Sequence, residues 1–384
     1  MRSAIAFVLV VLAVSIPGAQ VRDRATAVAA PPSDAALLAR GWNALANGQP
    51  TDAASAAAQL LARVPWHHSA NALRIEALSA SDPMSGLDAY EAWLTLHKEE
   101  DAGLLAPVPR SILLQLAASA DSDIRRHARS ALADAGYPQP QPPGQRELAD
   151  QLADAAARVK RGDATALSRL EAVVTAGTAD PQMVAKALEA GGPATTPLLV
   201  AMLGKPAAPV QAAAAGALGR RKAEEARPTL QKMLKGGDPM ARASAAVALA
   251  RMGDPDGQAF VDKMLDSDVP DLRLMAAEAF DGRPGKWTSA IAPLLENRDG
   301  TLRLEAARLL APVNPEAARR VLSEAATDPN PVVRSEAVRI MEETSTTVPA
   351  VADLPQARRL LREKDPAVRV FAAGVLLAAA RRVN

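Results

Sequence analysis

The strongest constraint on the fold is a short signature that returns about every 31 residues along the second half of the chain. It reads Asp238-Pro239-Met240-Ala241-Arg242, Val269-Pro270-Asp271-Leu272-Arg273, Asp299-Gly300-Thr301-Leu302-Arg303, Asn330-Pro331-Val332-Val333-Arg334 and Asp365-Pro366-Ala367-Val368-Arg369. The Arg positions are spaced by 31, 30, 31 and 35 residues, and Gln211 holds the Arg place one step earlier. The third residue after that place is always Ala: Ala214, Ala245, Ala276, Ala306, Ala337 and Ala372. The seventh is large and apolar: Leu218, Leu249, Phe280, Leu310, Met341 and Leu376. Six matched copies at this period mark a stacked-repeat architecture.

Each part of the signature has a physical task. Asp or Asn followed by Pro is a helix start, because the side-chain oxygen accepts an orphan amide and Pro at the first helical position gives up an N–H that had no partner. The residue before Arg, the Ala and the large apolar residue fall at i, i+4 and i+8 on one helical face. Ala on that face lets a neighbouring helix come close. Upstream of four of these helices stand paired apolar residues at i, i+3 and i+4: Leu230, Met233 and Leu234; Val261, Met264 and Leu265; Ile291, Leu294 and Leu295; Ala318, Val321 and Leu322. The unit is an antiparallel helix pair that must stack on the next to bury its stripe.

Composition agrees with an all-α fold. Of the 384 residues 49% are hydrophobic but only 3% aromatic, so the interior is closed by Ala, Leu, Val and Met, which suits helix on helix rather than a strand sandwich. A net charge of +1 argues against a protein whose main business is gripping nucleic acid.

On these residues the chain resembles the HEAT-like repeats named after phycobilisome lyases, helical hairpins of about 30 residues that stack into a superhelical solenoid. The resemblance covers residues 205–384, with departures at Gln211 and Gly300, and extends weakly back through Ala164 to Leu203. An isolated copy stands far upstream at Asp121-Ser122-Asp123-Ile124-Arg125, followed by Ala128 and Leu132. The resemblance implies an Arg and Asp ladder between successive repeats, built on Arg242, Arg273, Arg303, Arg334 and Arg369, and a concave face made of the second helices. It does not imply lyase activity, because the repeat is shared by many non-enzymatic scaffolds.

Before the array, Leu37 to Leu45, Ala54 to Leu61, Ala70 to Leu78 and Leu87 to Leu96 are helix-length stretches separated by Gly48-Gln49-Pro50, Val64-Pro65 and Ser81-Asp82-Pro83. Gly41-Trp42, Ala44-Leu45, Gly48, Ala57, Leu60-Leu61 and Pro65 are similar to a degenerate tetratricopeptide hairpin. The expected organisation is a leader over 1–30, an N-terminal helical region over 34–136, a Pro-rich linker over 137–144 and the solenoid over 145–384, best defined from 205. A long ordered loop inside one continuous solenoid is the alternative to a domain boundary at the linker.

The leader has the order of a secretory signal peptide: Arg2, an uncharged apolar run from Ala4 to Ile16, then Pro17-Gly18-Ala19. Cleavage after Ala19 or after Ala27-Val28-Ala29 would leave a periplasmic or secreted chain without an integral membrane segment. With no Cys there is no lipobox to acylate and no disulfide to form.

No catalytic signature stands in the sequence: no Cys nucleophile, no Gly-x-Ser-x-Gly, no His-Glu-x-x-His and no phosphate loop. His67 and His68 with His97, Glu99, Glu100 and Asp101 hold zinc-compatible donors, but surface or capping roles suit them better. The doublets Arg319-Arg320, Arg358-Arg359 and Arg381-Arg382, with Arg220-Arg221-Lys222, read as solvated helix faces balanced by nearby acids. The expected function is an exported, non-enzymatic scaffold that needs no cofactor or metal and binds a protein partner. The alternative is an enzyme or enzyme subunit related to bilin lyases, holding a ligand on the concave face. The candidate interface is Glu305 with Arg308, Glu336 with Arg339, and Phe371 with Val375 at the open end of the array, where a second copy of the chain or the partner would pair. On that expectation Phe371→Glu breaks an interface and spares the fold.

Overall fold

The computed structural model describes residues 32–137, 148–236 and 238–382. The leader over 1–30 and nearly all of the 137–144 linker lie outside them. The described residues form an all-α solenoid. The first four helices are α1 (Asp34–Ala46), α2 (Pro50–Leu61), α3 (His68–Ser81) and α4 (Pro83–His97). They are followed by α5 (Ala102–Leu105), α6 (Pro107–Leu116) and α7 (Ser122–Asp134). Beyond the linker come α8 (Leu148–Lys160), α9 (Ala164–Ala176), α10 (Pro181–Ala190), α11 (Thr196–Leu203) and α12 (Ala208–Arg221). The array continues with α13 (Arg227–Leu234), α14 (Pro239–Arg251), α15 (Pro255–Leu265), α16 (Pro270–Ala277) and α17 (Trp287–Ile291). It ends with α18 (Gly300–Leu310), α19 (Pro315–Ala325), α20 (Pro331–Ser345), α21 (Leu354–Leu360) and α22 (Pro366–Arg381). Among the described residues no helix is long and apolar enough to cross a membrane.

The signature starts helices as its chemistry dictates. Asp238 accepts from the amides of Met240 and Ala241, Asp299 from Thr301, Asn330 from Val332 and Asp365 from Ala367. Val269 supplies no such cap. The helices then bury their Ala and large apolar positions: Ala245, Ala276, Ala306, Ala337 and Ala372 are fully buried, as are Leu218, Leu249 and Met341. First helices are less regular. α17 stops at Ile291 and tightens into a 3-10 turn over Ala292–Glu296, because Pro293 has no N–H to continue the α-helical bonding. Trp287 fills the space beneath, buried, with its indole N–H on the Arg283 carbonyl at 2.7 Å.

The second helices stack in order, α8 on α10, α10 on α12, and so on by α14, α16, α18 and α20 to α22. At the contact of α12 with α14, Gly219 lets the backbones meet: a Cβ there would stand 2.7 Å from the Ala248 Cα. The stack does not end at α22. That helix packs on α5, α6 and α7, so the hairpins from the front of the chain continue the array beyond its C-terminal copy. One apolar core accordingly joins residues such as Ile75, Leu105, Ile112 and Leu132 to Leu310, Met341, Phe371 and Leu376. A second core serves α8 to α14.

Two core substitutions test this register. Leu310 and Ala306 are buried on the same face of α18. Leu310→Ala is expected to cost about 2–5 kcal/mol by leaving a cavity, and Ala306→Leu about 1–3 kcal/mol by overpacking the helix contact. Urea midpoints will show both well below that of a change at Val332, which is exposed.

Candidate functional site

The second helices lie directly against one another from repeat to repeat, as the inner row of a curved stack does, and their charged residues pair within and between repeats. Arg308 grips Glu305 through Nε at 2.9 Å and Nη2 at 2.5 Å, and it reaches Glu278 of the previous repeat at 3.8 Å. Arg339 grips Glu336 in the same way at 2.8 and 2.6 Å and adds Glu343 at 2.9 Å. These bonds hold both guanidiniums firmly protonated and lower the Glu336 carboxyl. The fork to Glu189, with smaller help from the charges of Glu278 and Asp281, holds Arg220 protonated, and burial, more than the charges of Arg126 and Arg339, lowers the His127 imidazole.

The five signature arginines do something other than an inter-repeat Asp ladder. Arg334 Nη1 donates to the Asp328 and Pro329 carbonyls at 2.8 and 3.0 Å, and Arg303 to those of Asn297 and Arg298 at 2.8 and 3.1 Å. Each thereby ties the start of its own second helix to the end of the helix before it. The isolated upstream copy works identically, with Arg125 on the Ser119 and Ala120 carbonyls. Gln211, in the Arg place, donates to the Leu203 carbonyl at 3.1 Å. Arg273 bonds the Ala290 carbonyl, and Arg242 lies over the Phe260 ring at 5.3 Å. Arg369 has a buried Nε without a hydrogen bond among the described residues. Of the five, Arg303 comes near a neighbouring acid, Asp328, at 4.0 Å.

Ion pairs that do join repeats sit elsewhere. Arg220 holds Glu189 through a fork at 2.7–3.1 Å, and Arg251, buried, bonds Asp281 at 2.9 Å and the Glu278 carbonyl at 2.6 Å. Both stand nine residues after the signature position.

The open end expected at Phe371 and Val375 is covered. Phe371 meets the His127 ring edge-on at 4.8 Å between centroids, and Val375 is fully buried. The reason is visible in α7, where Ile124, Ala128 and Leu132 bury the very stripe that a next repeat would offer to α22. Glu305, Arg308, Glu336 and Arg339 are half-buried and satisfied by each other. The expectation of an apolar interface at α22 is therefore corrected: its apolar face is intramolecular.

Sequence reading missed the polar clamp beside that contact. Arg358 is mostly buried and bonds Glu91 at 3.2 Å and Glu100 at 2.9 Å, while Arg362 bonds Asp88 at 2.6 Å and Glu91 at 2.9 Å. Tyr90 donates to Glu100 at 2.8 Å and accepts from the Asp101 amide at 2.9 Å. Burial, then the bond to Glu100, raises its hydroxyl well above the usual range. Arg381 adds a bond to the Asp134 carbonyl. Nothing local in the sequence separates Arg358 from a solvated doublet, because its partners lie 258 and 267 residues away in the chain.

The histidines hold structural positions. His67 caps α3, accepting from the Ala70 amide; His68 pairs with Asp101 at 3.2 Å; His97 stacks on Trp93 at 4.4 Å. Among the described residues no three His, Cys, Asp or Glu side chains converge as for a metal ion.

One concavity stands out. Between α7 on one side and α8 with α10 on the other lies a cleft of about 800 Å³. Ala133, Ala149, Ala153, Ala157, Ala187 and Met183 form its apolar lining, and Arg126, Arg129, Lys160 and Lys186 stand on it with Asp150.

Comparison with known proteins places the repeats. The family model described as HEAT repeats matches residues 195–281 and 288–378. No curated protein matches the chain. Among solved structures, human deoxyhypusine hydroxylase in complex with glycerol aligns at 17% identity over 60% of this chain and 99% of that one, with a TM-score of 0.31. An engineered protein aligns at 20% identity over 91% of this chain and 99% of that one, with a TM-score of 0.27. Residues 195–281 and 288–378 thus match HEAT repeats, and they stand within an all-α solenoid.

Proposed function

We propose that this is an exported, non-enzymatic helical-repeat scaffold that binds another protein through its solenoid surface. The cleft between α7, α8 and α10 carries this reading, because it is a concave surface with an apolar lining and charged side chains standing on it. Export is part of the same reading and rests on the order of Arg2, the apolar run Ala4 to Ile16 and Pro17-Gly18-Ala19. The nearer kinship with phycobilisome-lyase-type repeats, and the tetratricopeptide-like character of α1 and α2, rest on the sequence patterns alone. The four histidines are supported in capping, pairing and stacking roles, which favours a scaffold over a ligand-transforming enzyme.

The test is fractionation followed by capture. The chain is expected in an osmotic-shock or secreted fraction with its first residue between about positions 20 and 31, and to bring down a defined protein from that fraction. An intact Met1 in the cytoplasm contradicts the export, and a coloured, tetrapyrrole-bearing preparation favours the lyase-related alternative.

A further inference from the structure

We infer that the cleft between α7 and the α8/α10 pair is the docking site for an acidic, amphipathic helix of a protein partner, an inference that rests on the scaffold reading and adds the partner's chemistry. Along the inner face each helix lies against the next, from α8 and α10 round to α22 and α7. Where the series comes back to its start, α7 faces α8 and α10 across an open cleft of about 800 Å³. A helix about 10 Å across and rising about 1.5 Å per residue fills about 120 Å³ per residue, so this space takes about two turns. It has the size of part of one more inner helix.

The lining suits such a guest. Ala133 from α7, Ala153 and Ala157 from α8 and Ala187 from α10 are small enough for a backbone to approach closely, and Met183 adapts to an irregular apolar face. The charges are one-sided. Arg129, Lys160 and Lys186 make no hydrogen bond or ion pair among the described residues, whereas the inner-face pairs Glu305–Arg308, Glu336–Arg339 and Glu189–Arg220 neutralise themselves. Arg126 donates to Asp123 at 2.7 Å and still lines the cleft, where Asp150 is the one acid among the described lining residues. Arg126 and Arg129 lie one turn apart on one wall and Lys160 and Lys186 on the other, so carboxylates at i and i+3 or i+4 along a bound helix would meet cations on both flanks. Past Met183, Lys186 and Ala190 the surface continues to Arg220, already held by Glu189, which sets one end of the basic stretch.

The test uses the full chain and a fluorescein-labelled helical peptide with Glu on one face and Ala and Leu on the other, its twin with Gln for every Glu, and vesicles of anionic phospholipid. Saturable anisotropy with the Glu peptide is expected, weakened at least about tenfold in the Gln twin and at least about tenfold by Lys160→Glu with Lys186→Glu. Both lysines are exposed, and unchanged circular dichroism will show that the variant is folded. Equal binding of the two peptides, no binding, binding indifferent to the lysine changes, or binding to the vesicles instead would each overturn the inference. Capture of a partner that survives the double change leaves the scaffold reading standing while this site falls.

Discussion

Phe371→Glu is expected to unfold the contact between α22 and the N-terminal hairpins. The side chain is 9% exposed, lies edge-on to His127 and belongs to the core shared by the two ends of the chain. Removing a buried Phe costs about 3–5 kcal/mol, and placing a carboxylate there adds the cost of a desolvated charge. Thermal melts should show a fall of many degrees, or a separate early transition for the N-terminal hairpins. Val332→Glu, at a position 70% exposed in an equivalent helix, should stay within about 0.5 kcal/mol of the parent.

The second large effect is expected at Glu342, one helix away. Its carboxyl sits against Gly374 so closely that a Cβ there would overlap Glu342 Oε1. Burial first, then the nearby charge of Asp134, push its pKa up from 4.5 to about 8, with Arg339 opposing. An acid raised on folding holds its proton in the native state to higher pH than in the unfolded chain. Its contribution is therefore most favourable below about pH 4.5 and is lost progressively up to about pH 8. Glu342→Gln, which keeps the shape without the charge, should leave stability near pH 4 unchanged and raise it at pH 8 by up to about 3–5 kcal/mol. Urea titrations of both proteins across that range will show converging midpoints at acid pH and diverging ones at alkaline pH. Parallel curves would place the Glu342 carboxyl in water. Gly374→Ala should be costly while Glu342 is present and milder beside Glu342→Ala, since the added methyl then has room.

Much of the fold was legible because its signals are local. Asp-Pro or Asn-Pro before a helix, Ala and Leu at fixed offsets, and a 31-residue step between Arg242 and Arg273 act within a few turns, so α12 to α22 follow from pattern. Even the stray copy at Asp121 to Leu132 was readable as a repeat helix. What could not be read was where that copy goes. Its neighbour in space is α22, some 240 residues later, and no local periodicity records such a pairing. Phe371 therefore looked like exposed surface, and Arg358 like a solvated doublet, because the elements that bury them come from the front of the chain. The arginine of the signature misled in a different way. Its periodicity suggested a ladder between repeats, yet the long side chain folds back on carbonyls five and six residues upstream, as at Arg303 and Arg334. The candidate cleft left no sequence mark, since Arg129, Lys160 and Lys186 come from three separate helices.

The N-terminal hairpins are the next member of the solenoid after α22, and cutting the chain ahead of α8 puts that continuity to the proof. A protease site inserted between residues 138 and 147, and cleaved in the folded protein, gives two pieces that the contacts of α22 with α5, α6 and α7 and the clamp of Arg358 and Arg362 hold together. Gel filtration without denaturant should show both pieces eluting together at the position of the uncut chain, and Phe371→Glu should release them. Separation of the two unmutated pieces into folded, independently eluting fragments would mean that the N-terminal hairpins are not part of the same stack as α22.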